Sequence, residues 1–394
     1  MKIRDIRATP INVPLEAPYL WSYGSLPGFS QTVVEVVTDD GLVGIGEAPG
    51  AGSAALILNR LAPALVGRDP FDIQGAELRC LSPEPGIQSF TDFATRAAFG
   101  GIEIALWDLR GKAWGQPVYQ LLGGAVRKEI AFTDYFAYRL EADGAGGEST
   151  PEAVADYCQM LMAEHGTTFF EGKVADPDPK YAIRLVATLR RRLGDAVLLR
   201  IDSNHAYSVG AARMLAPAFE ELGVDNWEDP VGTWEEMARL RPHTRLHFSS
   251  HHLDLPKAVA LGVPDAVVTS IAGHGGFART QRFVGALEAM GLGFWCYSGD
   301  SGIGSAAYLH LLAATPIARG PSQSLFRMQP VDVIAEGPFR PHRNVISVPE
   351  GPGLGVTLDP DRLAFCRLHF ETNGPMNKYH DPVAPGVFRR LPLA

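Results

Sequence analysis

Six short β-rich runs between about residues 168 and 300 end on polar residues that could bind a cation or move a proton. In order they reach Lys173, Asp202 with Asn204, Glu228 with Asp229, His251 with His252, Ser270, and Tyr297 with Asp300. Asp202 and Glu228 lie 26 residues apart (228 minus 202), and His251 follows 23 residues later (251 minus 228). One strand, one helix and two loops occupy about that length, so the spacing places the three side chains on the ends of successive strands. Carboxylates converging from neighbouring strand ends are what a hard divalent cation requires. Such a cation suits one difficult reaction in particular. A proton beside a carboxylate is weakly acidic, and its removal leaves an ene-diolate with two negative charges, which a bound metal stabilises where they develop. Lys173 ends the strand before Asp202. In a dry site next to a divalent cation, its ammonium should lose proton affinity and serve as the general base.

Each residue also has a plainer reading. An Asp at a strand end is often a turn former, and the Asp-Pro of WEDP can simply open a turn. A lone lysine is usually solvated. Phasing separates the readings, because a surface role does not require Asp202 and Glu228 to fall one repeat apart. Successive strand residues face opposite ways, so His251 is expected inward as the third ligand and His252 packed outside.

The elements that would position these groups can be read from the pattern. IAFTDYF, TFFEGK, AVLLRID, VDNWED, RLHFSS, DAVVTS, LGFWCYS and QSLFRM make eight strand candidates, alternating with helical stretches. Helix starts are marked by Ser149 or Thr150 before Pro151, by the Asp176–Pro179 segment, and by Ser208, Thr233, Asp254 and Ser301. The expected fold is α/β, a (β/α)8 TIM-like barrel over residues 128–330, with its site at the C-terminal ends of the strands. Residues 1–127 read as a separate α+β unit. A strand over Lys2–Val13 leads into an aromatic, glycine-rich loop (YLWSYGSLPGFS), then a hairpin turning at Asp40-Gly41, and helices from about Ala54 to Gly123. Residues 331–394 are rich in proline and glycine, and the tail YHDPVAPGVFRRLPLA is expected to return over the first unit.

Bulk properties narrow the class. With 394 residues, 46% hydrophobic and 20% charged, the chain has material for a large core and no disorder signature. A net charge of -9 excludes broad nucleic-acid binding, and no apolar run is long enough to span a membrane. The opening segment lacks a signal-peptide core, and the four cysteines are scattered without a CxxC, so a reducing cytoplasm is the expected compartment.

Four stretches resemble the enolase superfamily in its mandelate racemase and glucarate dehydratase branch: ALWDLRGKAWGQPVYQLLGG, IDSN, WEDP and EGPGLGV. The resemblance spans nearly the whole chain. It implies an N-terminal capping domain, completed by the C-terminal segment, whose early loop closes the barrel mouth and places Trp21 and Tyr23 on the substrate. It also implies one divalent cation held by Asp202, Glu228 and His251. Magnesium is the expected ion, with manganese or another transition metal as the alternative that an imidazole ligand would favour. Where relatives carry KxK, this chain has Glu171-Gly172-Lys173, keeping the base and losing the first lysine. Where they carry an Asp–His dyad, it has Ser270 and Tyr297. The second acid is then sought among Tyr297, Asp300 and His274, with Asn204 and Arg327 contacting a small carboxylate substrate. A dehydratase of sugar acids, aldonate or aldarate, yielding a 2-keto-3-deoxy acid is the leading expectation. A racemase, epimerase or cycloisomerase on the same scaffold, or a binding protein that has lost catalysis, are the alternatives. A homo-oligomer is expected by resemblance.

Overall fold

Valine-rich alternation builds the first sheet. The computed structural model describes residues 1–81, 93–176, 178–297, 300–323 and 325–376. Strands β1 (Ile3–Trp21), β2 (Gly24–Thr38) and β3 (Val43–Pro49) pair antiparallel in that order. The turn between β2 and β3 falls at Asp39–Asp40, with Gly41 at φ +88°. The aromatic segment expected to be a loop is instead strand. After a register shift between Pro14 and Tyr19, pairing resumes at Tyr19 with Leu26 and continues to Trp21 with Gly24. Pro14 and Pro18 interrupt the ladder without ending the extended backbone. The result is a long hairpin arm with its tip at Ser22-Tyr23.

Helix Phe93–Trp114 packs across this sheet. A side chain at Gly46 would come within 2.1 Å of the Gly101 carbonyl, so the close approach of helix to strand depends on glycine at that point. Asp108, in the WDLRGK stretch, is fully buried and accepts the amides of Ile45 (2.8 Å) and Leu354 (2.7 Å), with Lys112 Nζ at 2.6 Å. It ties the helix to β3 and to the EGPGLGV turn, which gives two of the resemblance motifs a common structural role.

The second sheet is parallel. Strand β4 (Glu129–Ala131) pairs with β12 (Val345–Ser347), and the barrel then runs β5 (Asp134–Phe136), β6 (Phe169–Lys173), β7 (Leu198–Asp202), β8 (Asn226–Glu228), β9 (Phe248–Ser250), β10 (Ala266–Thr269) and β11 (Gly293–Cys296). Caps form at Thr150, Asp178, Ser208, Thr233, Asp254 and Ser301, each accepting a backbone amide of the helix it starts. Two strand expectations need correcting. IAFTDYF divides between β4 and β5, and QSLFRM is not a strand. Pro321 lacks an amide, and Phe326–Met328 turns into a 3-10 helix, so only Ser322 and Gln323 close the circle. Ser322 bonds Ala131 and Thr133 on one side, while Gln323 N reaches the Cys296 carbonyl at 2.9 Å on the other.

Past the barrel, helix Pro360–Asn373 packs on β1, and Asn12 Nδ2 donates to the Gly374 carbonyl at 3.0 Å. The terminal segment from Tyr379, expected to return over the first unit, lies outside the described residues. No helix among the described residues is long and apolar enough to cross a membrane.

Asp108→Ala leaves two buried amides without acceptors, each worth about 1–3 kcal/mol. A loss of about 3 kcal/mol is expected, read as a lowered midpoint in chemical denaturation.

Candidate active site

At the C-terminal rim, strand register brings the expected residues into one row. Lys173 pairs with Asp202 across β6 and β7, Asp202 with Glu228 across β7 and β8, and Glu228 with Ser249 across β8 and β9. Lys173, Asp202 and Glu228 are all buried, and Lys173 Nζ donates directly to Asp202 Oδ2. A cavity of about 360 Å³ opens onto Lys173, Asp202, Asn204, His251, Tyr297 and Asp300. Trp21 and Tyr23 face it from the hairpin arm, their rings 4.8 Å apart, and Lys173 Nζ lies 5.3 Å from the Trp21 ring.

The electrostatics differ from expectation at the lysine. Burial pushes its ammonium toward neutrality, but the Asp202 carboxylate outweighs burial and holds the proton affinity above its ordinary value. Glu228 is pushed well above the usual carboxylate range, chiefly by burial, even though Gln323 Nε2 donates to both its oxygens at 2.9 and 2.8 Å. Gln323 also holds Glu171 Oε1 at 2.7 Å. Glu171 therefore lies one layer below the rim, where Arg200 Nη1 approaches it at 3.9 Å.

His251 and His252 face as alternation requires. His251 lines the cavity, whereas His252 packs on Trp234, ring centroids 5.9 Å apart. His251 Nδ1 is 3.0 Å from Asp229 Oδ2 and 3.4 Å from Glu228 Oε1. Burial lowers the His251 pKa, and these two carboxylates more than reverse it, to about 9. Burial likewise raises Asp229, and the His251 and His205 rings hold it down to about 2. His251 thus stands as an imidazolium spent on two carboxylates. Among the described residues no three His, Cys, Asp or Glu side chains converge as metal ligands.

Two buried oxygens beside the row, Asn204 Oδ1 and Asp229 Oδ1, have no hydrogen-bond partner. Asn204 and Asp229 hold left-handed backbones, at φ +41° and +40°, just past their strands. Strain of this kind persists where the surroundings enforce it. The donor set of Asp202 and Glu228, with unsatisfied hard oxygens nearby, fits a divalent cation that prefers oxygen.

Two expected residues are placed differently. Arg327 does not reach the cavity, because the turn at Phe326–Met328 directs its guanidinium to Asp134 Oδ1 (2.6 Å) and the Pro341 carbonyl. His274 packs on Phe283 away from the cavity, and burial, with Arg279 and Arg96 nearby, lowers its pKa to about 4. Ser270, at the usual acid position, caps the helix Ile271–His274 by accepting the Gly273 amide at 3.0 Å. Sequence reasoning missed Tyr135, His205, Gln323 and Gln31, all cavity residues. Only His205, three residues past the ligand candidate Asp202 in IDSNHA, carried a readable signal.

The arm is fastened to the barrel. Ser22 Oγ donates to the Asn204 carbonyl at 2.9 Å, and Leu20 N to the Tyr138 carbonyl at 2.8 Å. Ser22→Ala should cost about 1 kcal/mol of local stability. Hydrogen exchange should show it as faster exchange of the Leu20 amide with little change in the barrel strands.

With this geometry in view, comparison with known proteins is informative. Residues 153–362 match the family described as enolase C-terminal domain-like, and residues 3–123 match the mandelate racemase / muconate lactonizing enzyme N-terminal domain. The chain is 32% identical to a cis-3-hydroxy-L-proline dehydratase of Roseibium aggregatum, covering 91% of this chain and 96% of that one. It is 27% identical to a chloromuconate cycloisomerase of Pseudomonas putida, covering 92% and 98%. The crystal structure of an enolase from Thermobispora bispora, complexed with magnesium and formate, superposes with a TM-score of 0.87 at 26% identity, covering 96% of this chain and 95% of that one.

Proposed function

The chain belongs to the mandelate racemase / muconate lactonizing enzyme branch of the enolase superfamily, and from that premise we propose that it removes the proton beside a substrate carboxylate and expels a β-hydroxyl as water. The observation that carries this reading is the buried, in-register row of Lys173, Asp202 and Glu228, whose first two members open into one cavity.

Asp202 and Glu228 would hold a magnesium ion, and that ion, when bound, supplies charge stabilisation at the carboxylate oxygens of the substrate. Oxygen donors favour magnesium over softer ions, since His251 Nδ1 is already engaged by Asp229 and Glu228. His251, expected as third ligand, instead keeps those two carboxylates in place.

Lys173 takes the α-proton. Its amine must first be neutral, so the Asp202 charge that now holds its proton has to be engaged elsewhere. Tyr297 donates to the departing hydroxyl, because a phenol with a reference pKa of about 10 is protonated at neutral pH. As the enol becomes a 2-keto acid, Lys173 returns its proton to the β-carbon and the enol hydroxyl proton restores Tyr297. Of the sugar acids, an aldonate suits the cavity better than an aldarate, whose second carboxylate would meet Asp300.

One observation favours elimination over racemisation: Ser270 is spent as a helix cap beside Tyr297, so these two strand ends carry no Asp–His pair to act as a second base.

Lys173→Ala should abolish deuterium incorporation at the α-carbon in heavy water, by at least about a thousandfold, while calorimetry still detects magnesium binding. Asp202→Asn should weaken magnesium by at least about tenfold. Undiminished exchange in Lys173→Ala would remove the lysine from its role.

A further inference from the structure

Glu228 ends its strand fully buried and does not itself line the cavity, although an ion shared with Asp202 must meet it there. Something has to fix where its carboxylate points. Three side chains approach it. Ser249 Oγ lies 3.1 Å from Oε2, but the same hydroxyl is 2.7 Å from Asn226 Oδ1, and it has one proton to give. His251 Nδ1 is 3.4 Å from Oε1 and closer, at 3.0 Å, to Asp229 Oδ2. Gln323 Nε2 is the close donor, at 2.9 Å from Oε1 and 2.8 Å from Oε2.

The same nitrogen donates to Glu171 Oε1 at 2.7 Å. Among the described residues Glu171 Oε2 completes no hydrogen bond, and Arg200 Nη1 stands 3.9 Å from it. One amide nitrogen therefore serves three of the four oxygens of two fully buried carboxylates. It has two hydrogens to do so. One goes to Glu171, and the other is shared between the two oxygens of Glu228. Gln323 is itself set by the closure of the barrel, where its backbone amide donates to the Cys296 carbonyl at 2.9 Å, and its side chain lines the cavity.

We propose that Gln323 is a positioning residue of the cation site, aiming the Glu228 carboxylate and leaving its negative charge available to the ion. This rests on the reading above in which Asp202 and Glu228 hold magnesium. A shared hydrogen suits the task, because an ion can take one oxygen of Glu228 while the other stays on the same N–H. A neutral amide also grips the carboxylate without cancelling its charge, which a lysine or arginine at that place would do. Without the amide, two buried carboxylates repel across the space it occupied. Glu228 is then left to the His251 ring, 3.4 Å away, which draws it off the ion.

Magnesium alone is the probe, titrated calorimetrically into the full chain at a temperature where each variant is folded by circular dichroism. Gln323→Met, which keeps the side-chain length and removes the donor, should weaken magnesium about 10- to 100-fold. Ser249→Ala should change it by less than about threefold, since that hydroxyl lies closer to Asn226. If Gln323→Met does not fold, Gln323→Asn, whose amide is one methylene short of Glu228, carries the same expectation. Magnesium should also raise the denaturation midpoint of the unaltered chain and of Ser249→Ala, and raise that of the Gln323 variant much less. A purely structural role would lower that variant's midpoint and leave the magnesium affinity of the folded protein unchanged. Such a result, tighter binding in Gln323→Met, or an equal loss in Ser249→Ala overturns the proposal. Asp202→Asn keeps the two readings apart. If it loses the ion while Gln323→Met retains it, only the role of Gln323 fails; if neither change matters to magnesium, the ion site fails with it.

Discussion

Four carboxylates, Glu171, Asp202, Glu228 and Asp229, are buried at one end of a barrel, each no more than 1% exposed. Unpaired charge is expensive in such surroundings, so every one of them needs a cation, a proton or a set of donors. Lys173 serves Asp202, Arg200 and Gln323 serve Glu171, and His205 and His251 serve Asp229. Glu228 has only neutral donors from Gln323 and Ser249 and a share of His251, and its proton affinity rises furthest above the ordinary range. A divalent cation is favoured most where compensation is poorest. Metal affinity and base strength are then linked through Asp202, because the oxygen that would bind a cation is the oxygen that now holds the lysine's proton.

Such a row is useful only if the space above it is dry and shaped, and that task falls to the first unit. Gly46 allows helix Phe93–Trp114 to lie against β3, and Asp108 locks that contact to the Leu354 turn. From the same strand, Glu47 reaches the start of helix Gly302–Ala313 through Ser301. The hairpin arm is held at its tip by Ser22 and along its length by the Tyr138 carbonyl. The cap is thus bonded to the barrel at several separated points, which makes its aromatic face part of the site's fixed geometry.

Local pattern carried much of this arrangement. Repeat spacing located Lys173, Asp202 and Glu228 because strand and helix lengths vary little from one βα unit to the next. Caps at Thr150, Ser208, Thr233 and Asp254 were legible because capping is a property of a few adjacent residues. The misplacements arise where distant parts compete. QSLFRM has strand composition, yet closure needs only Ser322 and Gln323 once Pro321 removes an amide, and the following turn carries Arg327 to Asp134. The aromatic segment looked like a loop because two glycines and a proline punctuate it, while its partner across the hairpin supplies the ladder. Lys173 was expected to lose proton affinity, and it gains it, since composition gives no sign of how near Asp202 Oδ2 would lie.

The replacement of a first lysine by Glu171 takes its meaning from the same charge balance. A lysine there would add positive charge near the substrate carboxylate; Glu171 adds negative charge one layer down and is neutralised by Arg200, whose own proton affinity burial reduces. The rim therefore gains nothing positive from this position. Across the barrel Asp300 is held by the Gln31 amide and lies against the buried Glu47, so that side of the cavity adds no positive charge either.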